Sequence, residues 1–214
     1  MRITIFGATG RTGQRLIDEA LDAGYDVTAF AWTPSKLEID HERLTIVQGD
    51  VTDADAVEQA VAFGDPGADA VLSVLGPSGN QPTYAISRGM ENIVEAMKTH
   101  DVDRLVVSMG AGVSDPQDNP RLVNRILNIV LKLLAANVYR DMKRVADVVR
   151  ASDLDWTLVR VPMLSDENAT GKVKVGYVGD EQIGPRLTRG DLARFMLEQV
   201  TDDTYIHEAP VISN

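Results

Sequence analysis

Short apolar runs alternate with amphipathic stretches through the first half of the chain. Ile3, Ile5 and Phe6 make Met1 to Phe6 a β-type run, and the next segment places Leu16, Ile17, Ala20 and Leu21 on one helical face. After the Gly24-Tyr25 turn, Asp26 to Trp32 reads as a second strand and Leu44 to Gln48 as a third. Ala54 to Phe63 is predicted helical, with Asp53 as its N-cap. A fourth strand spans Ala70 to Leu75, a helix runs from about Thr83 to Thr99, and a fifth strand spans Arg104 to Ser108. Strands that read as continuous apolar runs, separated by helices, predict a parallel sheet covered on both faces. The expected fold class is α/β, a doubly wound Rossmann-type sheet in a single domain.

The second half is less regular. Asn119-Pro120 opens a helical region expected to reach about Ser152, with Leu122, Ile126, Ile129, Val130, Leu133 and Leu134 at helical spacing. Arg125, Asn128 and Lys132 make it too polar for a membrane span. It reads as a core-facing helix, or alternatively as one lining a groove or a subunit contact. Trp156 to Val161 is a sixth strand and Lys172 to Val178 a short extended segment. Arg189 to Val200 is a helix starting near Thr188 or Gly190, and about His207 to Ile212 is a last strand. No repeat or linker divides residues 1–214, so one domain is expected, with about 119–214 forming a small substrate-side region.

Composition narrows the function classes. The 214 residues contain 44% hydrophobic and 25% charged side chains, as in globular proteins. There is no cysteine, which excludes disulfides and thiolate metal sites, and His41, His100 and His207 lack metal-ligand spacing. The net charge of −11 argues against nucleic acid or an anionic membrane as partner. With a strand beginning at residue 2, no signal peptide is expected, which suggests a cytoplasmic protein, monomeric or homodimeric.

The first strand runs straight into Gly7-Ala8-Thr9-Gly10-Arg11-Thr12-Gly13 and then a helix. Gly7 allows a tight turn, Gly10 lets a pyrophosphate approach the backbone, and Gly13 lets the helix pack closely. Amides at the helix start favour an anion. The G-x-x-G-x-x-G spacing differs from the tighter G-x-G-x-x-G form; its place between strand and helix gives it meaning. Ligands of open parallel sheets bind beyond the carboxyl ends of the strands. That rule selects the glycine loop, Trp32 to Lys36, Asp50-Val51, Leu75-Gly76 and Ser108-Met109. No acid stands at the tip of the second strand, and Arg11, Thr33, Ser35 and Lys36 offer phosphate contacts. This favours NADP over NAD, with NAD still possible. Trp32 stacks on adenine or an arginine, or simply covers the sheet edge. Asp50 and Val51 suit an adenine clamp; a helix-capping turn is the alternative.

Tyr139 and Lys143, four apart, share a helical face. An ammonium beside a phenol stabilises phenolate, which would make Tyr139 a general acid or base, with Ser108 polarising a carbonyl. A half-buried tyrosine beside a solvated lysine fits the same spacing. Asp141, between them, could instead orient a backbone group or an arginine.

With these residues in view, the chain resembles the atypical short-chain dehydrogenase/reductases. Within them it is similar to the NAD(P)H-binding group that includes flavin reductases of the biliverdin reductase B type and NmrA-like proteins. The matching pieces are residues 7–13, Gly49-Asp50-Val51-Thr52-Asp53, residues 150–160 and Arg189-Gly190-Asp191-Leu192-Ala193. The resemblance implies that Gly7, Thr9, Gly10, Arg11 and Thr12 hold the pyrophosphate side, and Asp50 and Val51 the adenine. Leu75 and Gly76 would line the middle of the cofactor. Ser108 and Met109 would face the nicotinamide ribose, with Val161 and Pro162 closing over it. Trp32 departs from the group, where arginine is frequent, and Val161 interrupts an expected Arg-Pro. The implied activity is hydride transfer from NAD(P)H to a small electrophile: a flavin, a quinone or a carbonyl. An NADP-sensing regulatory protein and a nucleotide-sugar epimerase-like enzyme are the alternatives.

Overall fold

The computed structural model describes residues 1–64, 67–77, 79–80, 83–120 and 135–214. Within them the strands β1 (Arg2–Phe6), β2 (Asp26–Ala31), β3 (Leu44–Gln48), β4 (Ala70–Ser73), β5 (Arg104–Gly110) and β6 (Asp155–Val161) form a parallel sheet. Next come β7 (Met163–Ser165), β8 (Lys174–Gly176), β9 (Arg186–Thr188) and β10 (Val211–Ser213). The main sheet has the order β3-β2-β1-β4-β5-β6-β10-β8, antiparallel only at β10 and β8; β7 and β9 pair separately. The strand order reverses between β1 and β4, and it is at such a switch point that open α/β sheets bind ligands.

Both sheet faces are buried because side chains alternate. Ile3 and Ile5 point into a core shared with α1 (Arg11–Asp22) and α5 (Arg189–Glu198). Phe6 points into the core of α2 (Ala54–Val61), α3 (Ala85–Thr99) and α4 (Ala136–Arg150). Thr4 is also buried, and its hydroxyl donates to the Ala60 carbonyl at 3.0 Å, so no polar group is stranded there. Asp53 caps α2 as expected, accepting from the amides of Asp55 and Ala56 at 3.1 and 3.4 Å. Thr188 caps α5, accepting from the Asp191 amide at 3.1 Å.

The second half differs more from its sequence reading. The helix expected from Asn119-Pro120 to Ser152 is seen as α4, while its apolar stretch at residues 121–134 lies outside the described residues. The last strand is shorter than residues 207–212. Pro210 has no N–H to give a ladder, so the pairing there is carried by Leu158 and Arg160 amides donating to Glu208 and Pro210 carbonyls, at 3.0 and 2.8 Å. The small β7–β9 pair was not expected at all. Among the described residues no helix is long and apolar enough to cross a membrane.

Candidate active site

The three glycines of the first loop do different things. Gly7 has φ +84°, and a Cβ there would lie 2.8 Å from the Val74 carbonyl carbon. At Gly13 a Cβ would sit 2.3 Å from the Gly7 oxygen, so α1 can pack on the loop only without a side chain. Gly10 is unstrained, and its missing Cβ would meet only the Gly7 oxygen, at 3.2 Å. The space beside Gly10 is open to the cleft. Gly10 also supplies no side-chain cap, so the first N–H groups of α1 are left for another acceptor.

A cleft of about 870 Å³ runs along the carboxyl ends of β1 to β6. It is lined by Gly7, Thr9, Gly10, Arg11 and Thr12, by Trp32, Thr33 and Lys36, and by Asp50 and Val51. It continues past Leu75 and Gly76 to Ser108, Met109 and Val161. Pro162 lies outside this lining, although it was expected with Val161. Trp32 is 73% exposed on the rim, offering a flat face to whatever enters.

Asp50 uses one oxygen to close its own turn, accepting from the Thr52 amide and hydroxyl at 2.9 and 2.8 Å. Val51 is held from below by α3. A Cβ on Gly89 would overlap Val51 at 2.4 Å, and Asn92 donates to the Val51 carbonyl at 3.0 Å. Gly89 and Asn92 were invisible to sequence reasoning because the contact joins α3 to a loop some forty residues earlier.

The cleft also carries charge from distant segments. Arg189, the first residue of α5, lines it, and Asp166, just after β7, accepts from both Arg189 and Arg11. Neither Arg189 nor Asp166 was singled out as a site residue. Their signal, an arginine at a helix start, acquires meaning only once β7 and β9 bring that helix end to the cleft. Asp141 also lines the cleft, and it orients backbone: it accepts from the amides of Ile86 and Ser87, at 3.3 and 3.1 Å, capping α3 from α4.

Beyond Ser108 lies a second, smaller cavity of about 150 Å³. Its described wall is Gly110, Gly112, Val113, Ala135, Val138, Tyr139 and Met142, of which Gly110, Val138 and Met142 also line the cleft. Tyr139 belongs to this annex rather than to the cleft itself. Lys143 lines neither, and its ammonium pairs with Asp147 at 2.6 Å, four residues along the same helix. The structure therefore places Tyr139 in the wall of this annex and directs the Lys143 charge to a surface carboxylate.

The loop leaving β5 is fixed by a buried ion pair. Arg160 is fully buried and donates from both Nη atoms to Asp118 at 2.7 Å, from Nη1 to the Val113 carbonyl at 3.1 Å, and from Nε to the Ala209 carbonyl at 2.6 Å. Burial disfavours the Asp118 carboxylate, but hydrogen bonds from Arg160 and from the Asp115 and Val178 amides, with the Arg160 charge, outweigh it. The net effect holds Asp118 below its ordinary value.

Residues 7–203 match the model of a family described as NAD(P)H-binding. Among relatives, the chain is 28% identical over 166 residues to "Oxidoreductase aflX" of Aspergillus parasiticus, covering 70% of this chain and 59% of that protein. Among solved structures it is similar to the oxidoreductase ylbE from Lactococcus lactis, with a TM-score of 0.81 and 21% identity, covering 100% of this chain and 91% of that one. A short-chain dehydrogenase/reductase from Veillonella parvula, solved in complex with NADP, aligns with a TM-score of 0.78 and 21% identity, covering 100% and 94%. The structural matches share the Rossmann-type fold, and the matched model covers most of the chain: this protein belongs to the NAD(P)H-binding family, as its resemblance to the atypical short-chain dehydrogenase/reductases implied.

Proposed function

We propose that the protein is an NADPH-preferring reductase that passes hydride to a small, apolar-bodied electrophile such as a quinone or a flavin. The observation that carries this reading is the continuity of the cleft. It runs from Trp32 and Lys36, past the open side of Gly10, to Ser108 and the apolar annex around Tyr139. The residues present fit a dinucleotide. Gly10 leaves room where a Cβ would block a pyrophosphate, the N-terminus of α1 has no side-chain cap, and the rim carries Lys36 without a carboxylate at the tip of β2. When bound, a reduced nicotinamide supplies the hydride. Ser108 and Val161 line the cleft beside the annex, and Met142 and Val138 form wall common to both. The name of the NADP-bound Veillonella protein and that of the aflX oxidoreductase agree with this assignment.

Quinones and flavins are favoured over carbonyls by the fate of Lys143. A carbonyl acceptor needs an activated proton donor, and the ammonium that would activate Tyr139 is paired with Asp147. A quinone or flavin takes hydride and draws its proton from solvent. The test is NADPH oxidation against matched quinones, flavins and ketones, with NADPH and NADH binding followed by nucleotide fluorescence. Turnover of ketones in preference to the other acceptors would overturn the acceptor assignment, and failure to bind either nucleotide would overturn the reductase reading.

A further inference from the structure

Two arginines from opposite ends of the chain converge on one carboxylate at the mouth of the cleft. Arg11 reaches out from the glycine loop, and Arg189 stands at the start of α5. Each takes one oxygen of Asp166: Arg189 Nη1 donates to Oδ1 at 2.8 Å, and Arg11 Nη1 donates to Oδ2. Both arginines line the cleft and Asp166 does not. Without that carboxylate two guanidinium groups would face each other across the mouth, a constellation suited to a phosphate.

We propose that Asp166 is an internal counter-anion, exchanged for a ligand phosphate when the dinucleotide binds. It lowers cofactor affinity in return for keeping the two arginines together in the free protein. The exposures make such an exchange feasible. The Arg189 side chain is only 13% exposed and stays in place, whereas Asp166 and Arg11 are 53% and 70% exposed. The Arg11–Asp166 pair is open to water on both sides and worth little to the fold, so breaking it costs little stability. Its charge acts mainly on whatever anion competes for the arginines. The inference rests on the dinucleotide reading above and adds the residue that sets its affinity.

Asp166→Asn keeps the shape and removes the charge. Dissociation constants for NADPH and NADH should both fall about three- to tenfold if the pyrophosphate replaces the carboxylate. The gain should be confined to NADPH if the 2′-phosphate does. Either pattern supports the exchange, and their difference says which phosphate is involved. The variant's affinity should also depend more steeply on salt, because one more unneutralised cation meets the ligand. Asp166→Glu, which restores the charge, should return affinities to within about twofold of wild type. In an Arg11→Met background the gain from Asp166→Asn should shrink. Unchanged or weaker binding by Asp166→Asn, with unfolding temperature preserved, overturns the proposal and makes Asp166 a support for the arginines. A wild-type protein that binds neither nucleotide removes the dinucleotide reading itself, and this inference with it.

Discussion

The two ends of the cleft are built by different physics. The glycine-loop end is made of short segments in which sequence neighbours are spatial neighbours: Gly7, Gly10 and Gly13 act within one turn of chain. Its shape comes from missing side chains. The proposed acceptor end is assembled from β5 with the loop after it, β6 and α4, and buried charge ties that loop to residue 209 behind it. Arg160 alone ties the 113–118 loop to residue 209 through four hydrogen bonds. One end excludes atoms to admit a ligand; the other buries an ion pair to fix a wall. The first tolerates little change in volume, and the second little change in charge.

The largest expected effect follows from that charge. Arg160→Met removes one partner of a buried pair and strands Asp118, which should cost about 3–5 kcal/mol in denaturant unfolding. Arg160→Met with Asp118→Leu should recover much of the loss, since the uncompensated charge is then gone. If the single variant loses less than about 1 kcal/mol, the acceptor end does not depend on the pair. The pair also carries a pH signature. Asp118 is held below its ordinary value, so its contribution is complete above the unfolded-state pKa of 3.8 and is lost as pH falls through the lower folded value. Unfolding midpoints measured below about pH 5 should therefore fall less steeply for Asp118→Asn than for wild type, from a lower starting stability.

At the other end the effects should appear in affinity. Gly10→Val places two methyl groups where a pyrophosphate must approach. It should weaken NADPH at least about tenfold, or about 1.4 kcal/mol, while the unfolding midpoint changes little. A variant that binds as wild type does would remove the glycine loop from the cofactor site. Lys36→Ala should be milder. Lys36 is exposed on the rim, so a phosphate contact there is screened and worth roughly three- to tenfold, felt by NADPH and not by NADH. Equal losses for both nucleotides would mean that Lys36 acts on the general field and not on a 2′-phosphate.

How legible each end was follows from the same difference. The strand–glycine–helix junction could be read from residues 2–21, because backbone sterics act locally. Asp53 was found as a cap for the same reason, and the start of α5 was placed near Thr188 or Gly190. The α/β order followed from apolar runs in the first half. Arg160 was quoted as part of a family stretch, yet its role could not be seen, because its partners lie more than forty residues away. Arg189 and Asp166 meet Arg11 only after the β7–β9 pair has formed, and three-residue strands carry too little periodicity to announce themselves. Tyr139 and Lys143 show what a local reading leaves out. Their four-residue spacing is real, but Asp147 stands at the next equivalent position and offers the lysine a carboxylate.

That pair yields the smallest expected effect and a sharp one. Were Tyr139 an acid activated by Lys143, Tyr139→Phe would lower kcat on a carbonyl by roughly a hundredfold, and Lys143→Met would shift the alkaline limb of the rate profile. The geometry argues otherwise. The lysine charge is neutralised by Asp147 at 2.6 Å, and the tyrosine belongs to the wall of an apolar cavity. Tyr139→Phe keeps that wall, so kcat with a quinone or flavin should stay within about threefold of wild type. Lys143→Met should be silent in rate and in pH profile, and should cost no more than the roughly 0.3–0.5 kcal/mol of an exposed helical ion pair. Tyr139→Ala should instead raise KM for the acceptor while leaving the NADPH dissociation constant unchanged, because it opens the annex without touching the cofactor groove. A hundredfold loss of kcat in Tyr139→Phe would restore the phenol as proton donor. It would also show that the acceptor end carries reactive chemistry as well as shape.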